Sequence, residues 1–211
     1  MAGTAMNEAK AEILRRLAAA GPIEAPEIPR EYRTSGGGDI VAEMEQALID
    51  YTATVTHCTP AGIPEAIDAA LEGATSVVVP PGLEKSWQEA AGKGREVRVD
   101  DPPLSKDELD NTDAVLTASR VAVSLSGTIM LDGEPDQGRR AISLVPDMHV
   151  CVLYASTIKA TVPEAVEVLS QHPTRPTTWI AGPSATSDIE LVRVDGVHGP
   201  RTLRVIIVDD D

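Results

Sequence analysis

The chain has 211 residues and a formal net charge of −15, and it contains no Phe and only 2% aromatic residues. Nucleic acids and anionic membranes bind clusters of Lys and Arg, so this acidic balance disfavours both classes of partner. With so few aromatic residues, the core must be built from Val, Ile, Leu and Ala, a mixture that favours helices packed on buried strands.

The N-terminal segment is predicted to be a helix followed by a linker. Residues 5–20 carry aliphatic side chains at helical spacing among charges, and the acidic residues there argue against a signal peptide. Residues 21–38 contain three prolines and a glycine triplet, a composition typical of an extended linker. We therefore divide the chain into an N-terminal arm, 1–38, and a main domain, 39–211.

The first part of the main domain alternates between helices and strands. The pattern predicts helices at 40–50, 62–72, 83–91 and 105–109, and strands at 51–58, 76–79, 96–99 and 112–116. Such alternation with short connections indicates parallel strands joined by crossover helices.

The second part contains several strands in quick succession. Its predicted strands are 121–123, 127–131, 141–144, 149–154, 177–181, 190–194 and 203–208, with one helix at 162–171 that Thr161 could cap. We expect an α/β fold with a doubly wound mixed sheet to which antiparallel hairpins are added. Ligands of such sheets bind beyond the carboxyl ends of the strands.

Two cysteines, Cys58 and Cys151, lie far apart in apolar runs, and no Cys-x-x-Cys motif is present. The chain alone therefore cannot supply four thiolates to an iron–sulfur cluster or a zinc ion. We expect reduced, buried thiols in a cytoplasmic protein, with no cofactor or metal bound by this chain alone. No apolar run is long enough to span a membrane.

The first candidate site is the segment Ser126-Gly127-Thr128. A glycine between two hydroxyl residues can let an anion or a carbonyl group approach bare backbone amides. The alternative, which the sequence favours, is a bend at the head of a hairpin strand.

The second candidate site precedes a predicted strand. Arg140 follows another arginine and could hold a carboxylate through two parallel hydrogen bonds, although arginine pairs are equally common on solvated loops. Ser143 is assigned to the same site. His149 begins an apolar strand, and a hydrogen-bonded core histidine is favoured there over a general acid or base.

The third candidate site follows a predicted strand that ends in Gly-Pro. Gly182 and Ser184 could form an anion-binding turn after that strand. Asp188 with Glu190 could form a metal or acid–base pair, but Asp188 as a turn residue is an equal alternative.

The fourth candidate is His198, which lies between Gly196-Val197 and Gly199-Pro200. A histidine in such a glycine-rich loop is not explained by packing, so we favour a functional role and name it as the catalytic candidate. Nucleotide-binding glycine motifs, a Gly-x-Ser-x-Gly elbow and a His-Glu-x-x-His helix are all missing from the sequence. The motif rules therefore do not name a reaction.

Taken in order, these segments resemble the signatures of the LUD-domain family, in the C type of its lactate-utilisation proteins. The matching segments are Ser126–Leu131, Arg140–His149, Gly182–Ser184, Asp188–Glu190 and Gly196–Arg201. The resemblance implies a fold similar to the ribose-phosphate isomerase, glucosamine-phosphate deaminase and CoA-transferase group. It also implies a role in oxidising L-lactate to pyruvate beside partner proteins that carry iron–sulfur clusters.

Two positions depart from the family pattern. Relatives commonly carry an acidic residue where this chain has Leu125, and often an arginine where it has Ala185. A catalytic carboxylate at the first position would be lost, and an anion site that uses the second would be weaker.

Three functions remain open at this point. The first is a non-redox subunit of a lactate-oxidising complex that holds a small organic acid. The second is a stand-alone enzyme like a folate cyclo-ligase or a CoA-transferase, although a shared fold is weak evidence for function. The third is a metabolite-sensing module. Activity of the isolated chain and assembly into a homo-oligomer are both left open by the sequence.

Overall fold

A computed structural model describes residues 2–21, 26–187, 193–196 and 198–209. The chain divides into two compact units, Met1–Tyr32 and Arg33–Asp211. The first unit contains helix α1 (Ala2–Ala19), which lies where the sequence predicts a helix. Within the described ranges, no helix is both long enough and apolar enough to cross a membrane.

The described part of the second unit contains five helices and twelve strands. The helices are α2 (Ile40–Asp50), α3 (Ile63–Ala70), α4 (Lys85–Ala91), α5 (Lys106–Asp110) and α6 (Val162–Leu169). The strands are β1 (Thr54–Cys58), β2 (Ser76–Val79), β3 (Glu96–Val99), β4 (Ala114–Thr117), β5 (Val121–Val123), β6 (Thr128–Leu131), β7 (Met148–Tyr154), β8 (Ile158–Lys159), β9 (Thr178–Ala181), β10 (Ala185–Ser187), β11 (Arg193–Asp195) and β12 (Thr202–Val208).

Helices begin where the sequence offers capping side chains. The Asp39 carboxylate accepts a hydrogen bond from the Ala42 backbone amide at 3.0 Å at the start of α2. At the start of α6, the Glu164 carboxylate accepts hydrogen bonds from both the backbone amide and the hydroxyl of Thr161. The bonds from the Ala42 and Thr161 amides satisfy backbone donors that the first turn of a helix would leave without partners, and Thr161 occupies the predicted N-cap position of α6.

Six strands form a parallel sheet in the order β1-β12-β7-β4-β2-β3. Helices α3 and α4 cover one face, where branched aliphatic side chains such as Val79, Leu116 and Val152 are fully buried. Strands buried on both faces read as continuous apolar runs, which is why β2 and β4 are recognisable from sequence.

The predicted antiparallel hairpins do not extend the parallel sheet. They form a second, four-stranded sheet in the order β8-β5-β6-β9, with antiparallel pairing of β5 with β6 and of β6 with β9. On one face Ile129 packs in a cluster with Cys151 of the parallel sheet, and on the other face Met130 packs with Ala165 of α6. Strands β5 and β6 are apolar on both faces, so both faces must be buried. The parallel sheet buries one face and α6 buries the other.

The strand predicted at 141–144 is wrong. These residues form turns, in which the amide of Ile142 donates to the Arg139 carbonyl and the amide of Leu144 donates to the Ala141 carbonyl. Ile142 is fully buried against Val78 of the parallel sheet. The apolar pattern was therefore a sign of burial over the sheet and not of strand pairing.

Candidate functional site

A cavity of about 270 Å³ lies beside the first residues of β7 and β12, β9, and the loop before β12. We call it the histidine cavity, because His149 and His198 both line it. Six of the predicted ligand residues line this cavity, namely Arg140, Ser143, His149, Gly182, Ser184 and His198. These residues come from three of the four candidate segments, and their role in ligand binding stays a prediction.

His149 is almost completely buried, with 1% of its surface exposed. Its ring Nε2 is 2.8 Å from the Thr117 hydroxyl oxygen, a pair in which either atom can donate, depending on the tautomer. Burial lowers the pKa of His149 to about 4, because the charged imidazolium would lose its hydration. At neutral pH the cavity wall therefore presents a neutral imidazole. His149 is thus a hydrogen-bonded core histidine, as the sequence favoured, and it also lines the cavity.

The two adjacent arginines have different surroundings. Arg139 binds the buried Asp100 carboxylate through two hydrogen bonds of 2.6 and 2.9 Å, and this pairing raises the pKa of Arg139. Arg140 is exposed, and within the described part of the chain no carboxylate lies within ion-pair distance of it. Arg140 is therefore the guanidinium that remains available to an anionic ligand.

The turn after β9 is tied to the loop before β12. The Ser184 amide donates to the Pro200 carbonyl, and the Gly196 amide donates to the Ser184 carbonyl, each at 2.8 Å. The backbone amide of His198 donates to the Ser184 hydroxyl oxygen at 2.9 Å. Ser184 thus positions the His198 loop and still has its hydroxyl hydrogen to donate to a ligand.

Gly182 occupies a position that no side chain could share. Its φ is +79°, a left-handed conformation, and an added Cβ would lie 2.6 Å from the Cβ of Tyr51. The glycine therefore lets the end of β9 turn while it lies directly against the chain that follows α2.

We expect Gly182→Ala to destabilise the protein by roughly 2–4 kcal/mol, because the substitution combines left-handed strain with a steric clash. Chemical denaturation measures this loss. Gly94→Ala is a matched control, because Gly94 also has a positive φ, of +72°, but an added Cβ there would meet nothing within 4 Å. Equal losses in the two variants would mean that the contact with Tyr51 relaxes at no cost.

The structure does not bring Ser126, Gly127 and Thr128 into the histidine cavity. Gly127 has a φ of +58°, and an added Cβ would lie 3.0 Å from the Cβ of Ala47 in α2. The hydroxyls of Ser126 and Thr128 are 2.9 Å apart and bond to each other. This segment forms a bend at the head of β6, and its role in ligand binding stays a prediction.

Asp188 and its neighbour Glu190 lie outside the described residues. Of the two departures from the family pattern, Leu125 is 57% exposed and does not line the histidine cavity. Ala185 begins β10, and its backbone is described.

A second cavity of about 500 Å³ lies beside the first. We call it the proline cavity, because Pro81, Pro103, Pro135 and Pro176 line it. Pro81 follows the carboxyl end of β2, so this cavity lies where ligands of parallel sheets are expected, whereas the histidine cavity lies by the amino ends of β7 and β12. The two cavities share three wall residues, Arg140, Ser143 and Thr178.

Except for Arg140, the charged residues of the proline cavity were not predicted from the sequence, and they pair with one another. Arg175 binds both Asp132 and Glu134, and Arg139 binds Asp100. The Arg175 guanidinium lowers the pKa of the Glu134 carboxyl. Prolines next to the ends of predicted strands were the available sequence signal for this cavity.

Comparison with known proteins identifies the family. The model of the LUD domain matches residues 102–208, about half of the chain. A protein of Deinococcus radiodurans named Lactate utilization protein C is 48% identical over 207 residues, covering 95% of this chain and 96% of that protein. The chain belongs to the LUD-domain family.

Two further relatives extend the comparison for this LUD-domain protein. Lactate utilization protein C of Bacillus subtilis is 32% identical over 130 residues, covering 59% of this chain and 50% of that protein. A crystal structure of a DUF162 family protein from Deinococcus radiodurans is similar with a TM-score of 0.70 and 44% identity, covering 81% of this chain and 96% of that one. The mixed α/β architecture is thus shared with a solved structure.

The match to the LUD domain contains the whole lining of the histidine cavity. That cavity combines one available guanidinium, a neutral buried imidazole, a second histidine and three hydroxyls. A guanidinium can bind a carboxylate in a fork, and imidazole and hydroxyl groups can bind an adjacent hydroxyl or carbonyl oxygen. The arrangement therefore suits a small organic acid.

Proposed function

We propose that this chain is a non-redox subunit of a bacterial L-lactate utilisation system and that its histidine cavity binds a small carboxylate. The observation that carries the proposal is Arg140, an arginine without a carboxylate partner in the described part of the chain, in the wall of a cavity. The names of the relatives from Deinococcus and Bacillus supply the pathway.

Because the protein is strongly acidic, the position of Arg140 in a cavity wall supports an anion site. A chain with a net charge of −15 repels free anions, so a carboxylate site needs a local cation to offset that field. Arg139 cannot be this cation, because its guanidinium is already paired with the Asp100 carboxylate. His149 stays neutral at physiological pH, so it can bond to a 2-hydroxyl or 2-oxo group without competing for the carboxylate.

Electrons from lactate would leave through other proteins. Of the two cysteines, Cys58 is partly buried and Cys151 is fully buried, and burial raises the pKa of Cys151 to about 12. Two such thiols do not supply the ligands of a four-thiolate cluster. The proposal therefore assigns the iron–sulfur clusters to separate partner proteins in the cytoplasm, and the oxidation of L-lactate to pyruvate to the complex.

We also infer that the fold belongs to the group of ribose-phosphate isomerase, glucosamine-phosphate deaminase and CoA-transferase. The support is the parallel sheet in the order β1-β12-β7-β4-β2-β3 with a smaller sheet packed on it. Superposition of an experimental structure on members of that group tests the assignment. A different strand order in the closest matches would overturn it.

Growth of a deletion strain tests the functional proposal. We expect loss of the gene to abolish growth on L-lactate as the sole carbon source while growth on pyruvate continues, because the block precedes pyruvate. The wild-type gene and a Lys106→Ala variant, which changes an exposed cation outside both cavities, should restore growth. Normal growth on lactate in a strain without a second lactate oxidase would contradict the proposed pathway.

A further inference from the structure

The combined volume of the histidine cavity and the proline cavity is larger than a lactate-sized ligand requires. Their volumes are about 270 and 500 Å³, and Arg140, Ser143 and Thr178 stand in the walls of both. Pockets for drug-sized ligands occupy about 300–1,000 Å³. L-lactate has only six non-hydrogen atoms, so it would leave the proline cavity to water.

The proline cavity suits an uncharged, apolar group. Apart from Arg140, which stands in the wall shared with the histidine cavity, its arginines are already paired, Arg139 with Asp100 and Arg175 with Asp132 and Glu134. A second anion there would have to displace one of these carboxylates. Apolar side chains also line it, namely Pro81, Pro103, Leu131, Pro135 and Pro176. Removing apolar ligand surface from water against such a wall is favourable.

We infer that the site accepts 2-hydroxy acids with side chains larger than the methyl group of lactate, and that the larger side chain enters the proline cavity. The carboxylate would stay on Arg140 at the wall between the two cavities. The inference rests on the proposed carboxylate site and specifies its substrate class. It does not require that lactate itself is the preferred ligand.

Calorimetric titration of the purified full chain with L-lactate and with L-3-phenyllactate tests the inference. These probes share the carboxylate and the 2-hydroxyl, and only the second carries a phenyl ring. We expect the dissociation constant of phenyllactate to be at least tenfold lower than that of lactate, because its ring loses apolar surface to the cavity.

Cavity-filling variants locate the ring. Pro176 and Pro103 are exposed residues of the proline cavity wall, and Trp at either position should occupy part of the cavity, so that the ratio of the two dissociation constants falls towards one. Pro173→Trp is the matched control, because Pro173 is also exposed but lines neither cavity, and it should keep the ratio. Wild-type protein without a preference for phenyllactate, or an unchanged ratio in both filling variants, would overturn the inference.

The outcomes separate the inference from the proposed function. Lactate binding that depends on Arg140, without a preference for phenyllactate, refutes the larger substrate and keeps the carboxylate site. Tight phenyllactate binding in a protein whose deletion spares growth on lactate keeps the substrate class and refutes the lactate pathway. Binding of neither acid refutes the carboxylate site and the larger substrate together, whereas growth of the deletion strain decides the lactate pathway.

Discussion

Arg140→Ala is expected to weaken the binding of L-lactate by about 100-fold, because it removes the cation that offsets the negative field of the protein at the carboxylate. Arg140→Lys keeps the charge but loses the planar fork of donors, so we expect an intermediate loss of about tenfold. Calorimetric titration at constant ionic strength measures both. The same order, with Ala weaker than Lys, should appear for L-3-phenyllactate.

Stability measurements separate this effect from a folding defect. Arg140 has no carboxylate partner in the described part of the chain, so the melting temperature of Arg140→Ala should match that of the wild type. Arg139→Ala should instead lower the melting temperature, because it leaves the Asp100 carboxylate buried without its partner. Lys106→Ala should change neither property. If Arg140→Ala bound lactate as well as Lys106→Ala, the anion site would lie elsewhere.

Much of the cavity lining could be predicted from residue type and position along the chain. Arg140, Gly182, Ser184 and His198 are polar or glycine residues next to the ends of predicted strands, and loops at strand ends are favoured sites of function. Of these, only His198 precedes a strand of the parallel sheet, because β9 belongs to the four-stranded sheet and the strand predicted after Arg140 is a run of turns. Thr128 was selected for the glycine beside it, and it begins β6 outside the cavity lining.

The sequence could not predict that Arg140, and not Arg139, is available to bind an anion. The difference between the two arginines depends on a contact with a residue distant in sequence. Asp100 pairs with Arg139 from 39 positions away, and nothing adjacent to the two arginines distinguishes them. The turns at 141–144 were missed for a related reason. A single buried residue, Ile142, satisfies the apolar pattern without any strand partner. Local sequence thus specified which residues are buried, but not which pairs they form.

The buried state of His149 makes the stability of the protein depend on pH. The folded-state pKa of His149 is lowered to about 4, below the value of 6.5 that is usual for a free histidine. Between these values the unfolded chain binds a proton that the folded chain does not, so acidification favours unfolding. The contribution of a neutral His149 is complete above about pH 6.5 and is lost progressively as the pH falls towards 4. At pH 5 the loss amounts to about 2 kcal/mol, and near pH 4 to about 3 kcal/mol.

Replacing His149 with a residue that cannot be protonated isolates its contribution to the pH dependence of stability. His149→Gln keeps a polar group that can bond to the Thr117 hydroxyl but removes the ionisable ring. We expect the wild type to lose about 2 kcal/mol more unfolding free energy than His149→Gln between pH 7 and pH 5, since the other titrating groups are common to both proteins. Urea denaturation at the two pH values measures the difference, and His172→Gln, at an exposed position, should behave like the wild type. Parallel losses in wild type and His149→Gln would mean that His149 is protonated in the folded protein at pH 5, and the neutral imidazole assigned to the cavity wall would then be wrong.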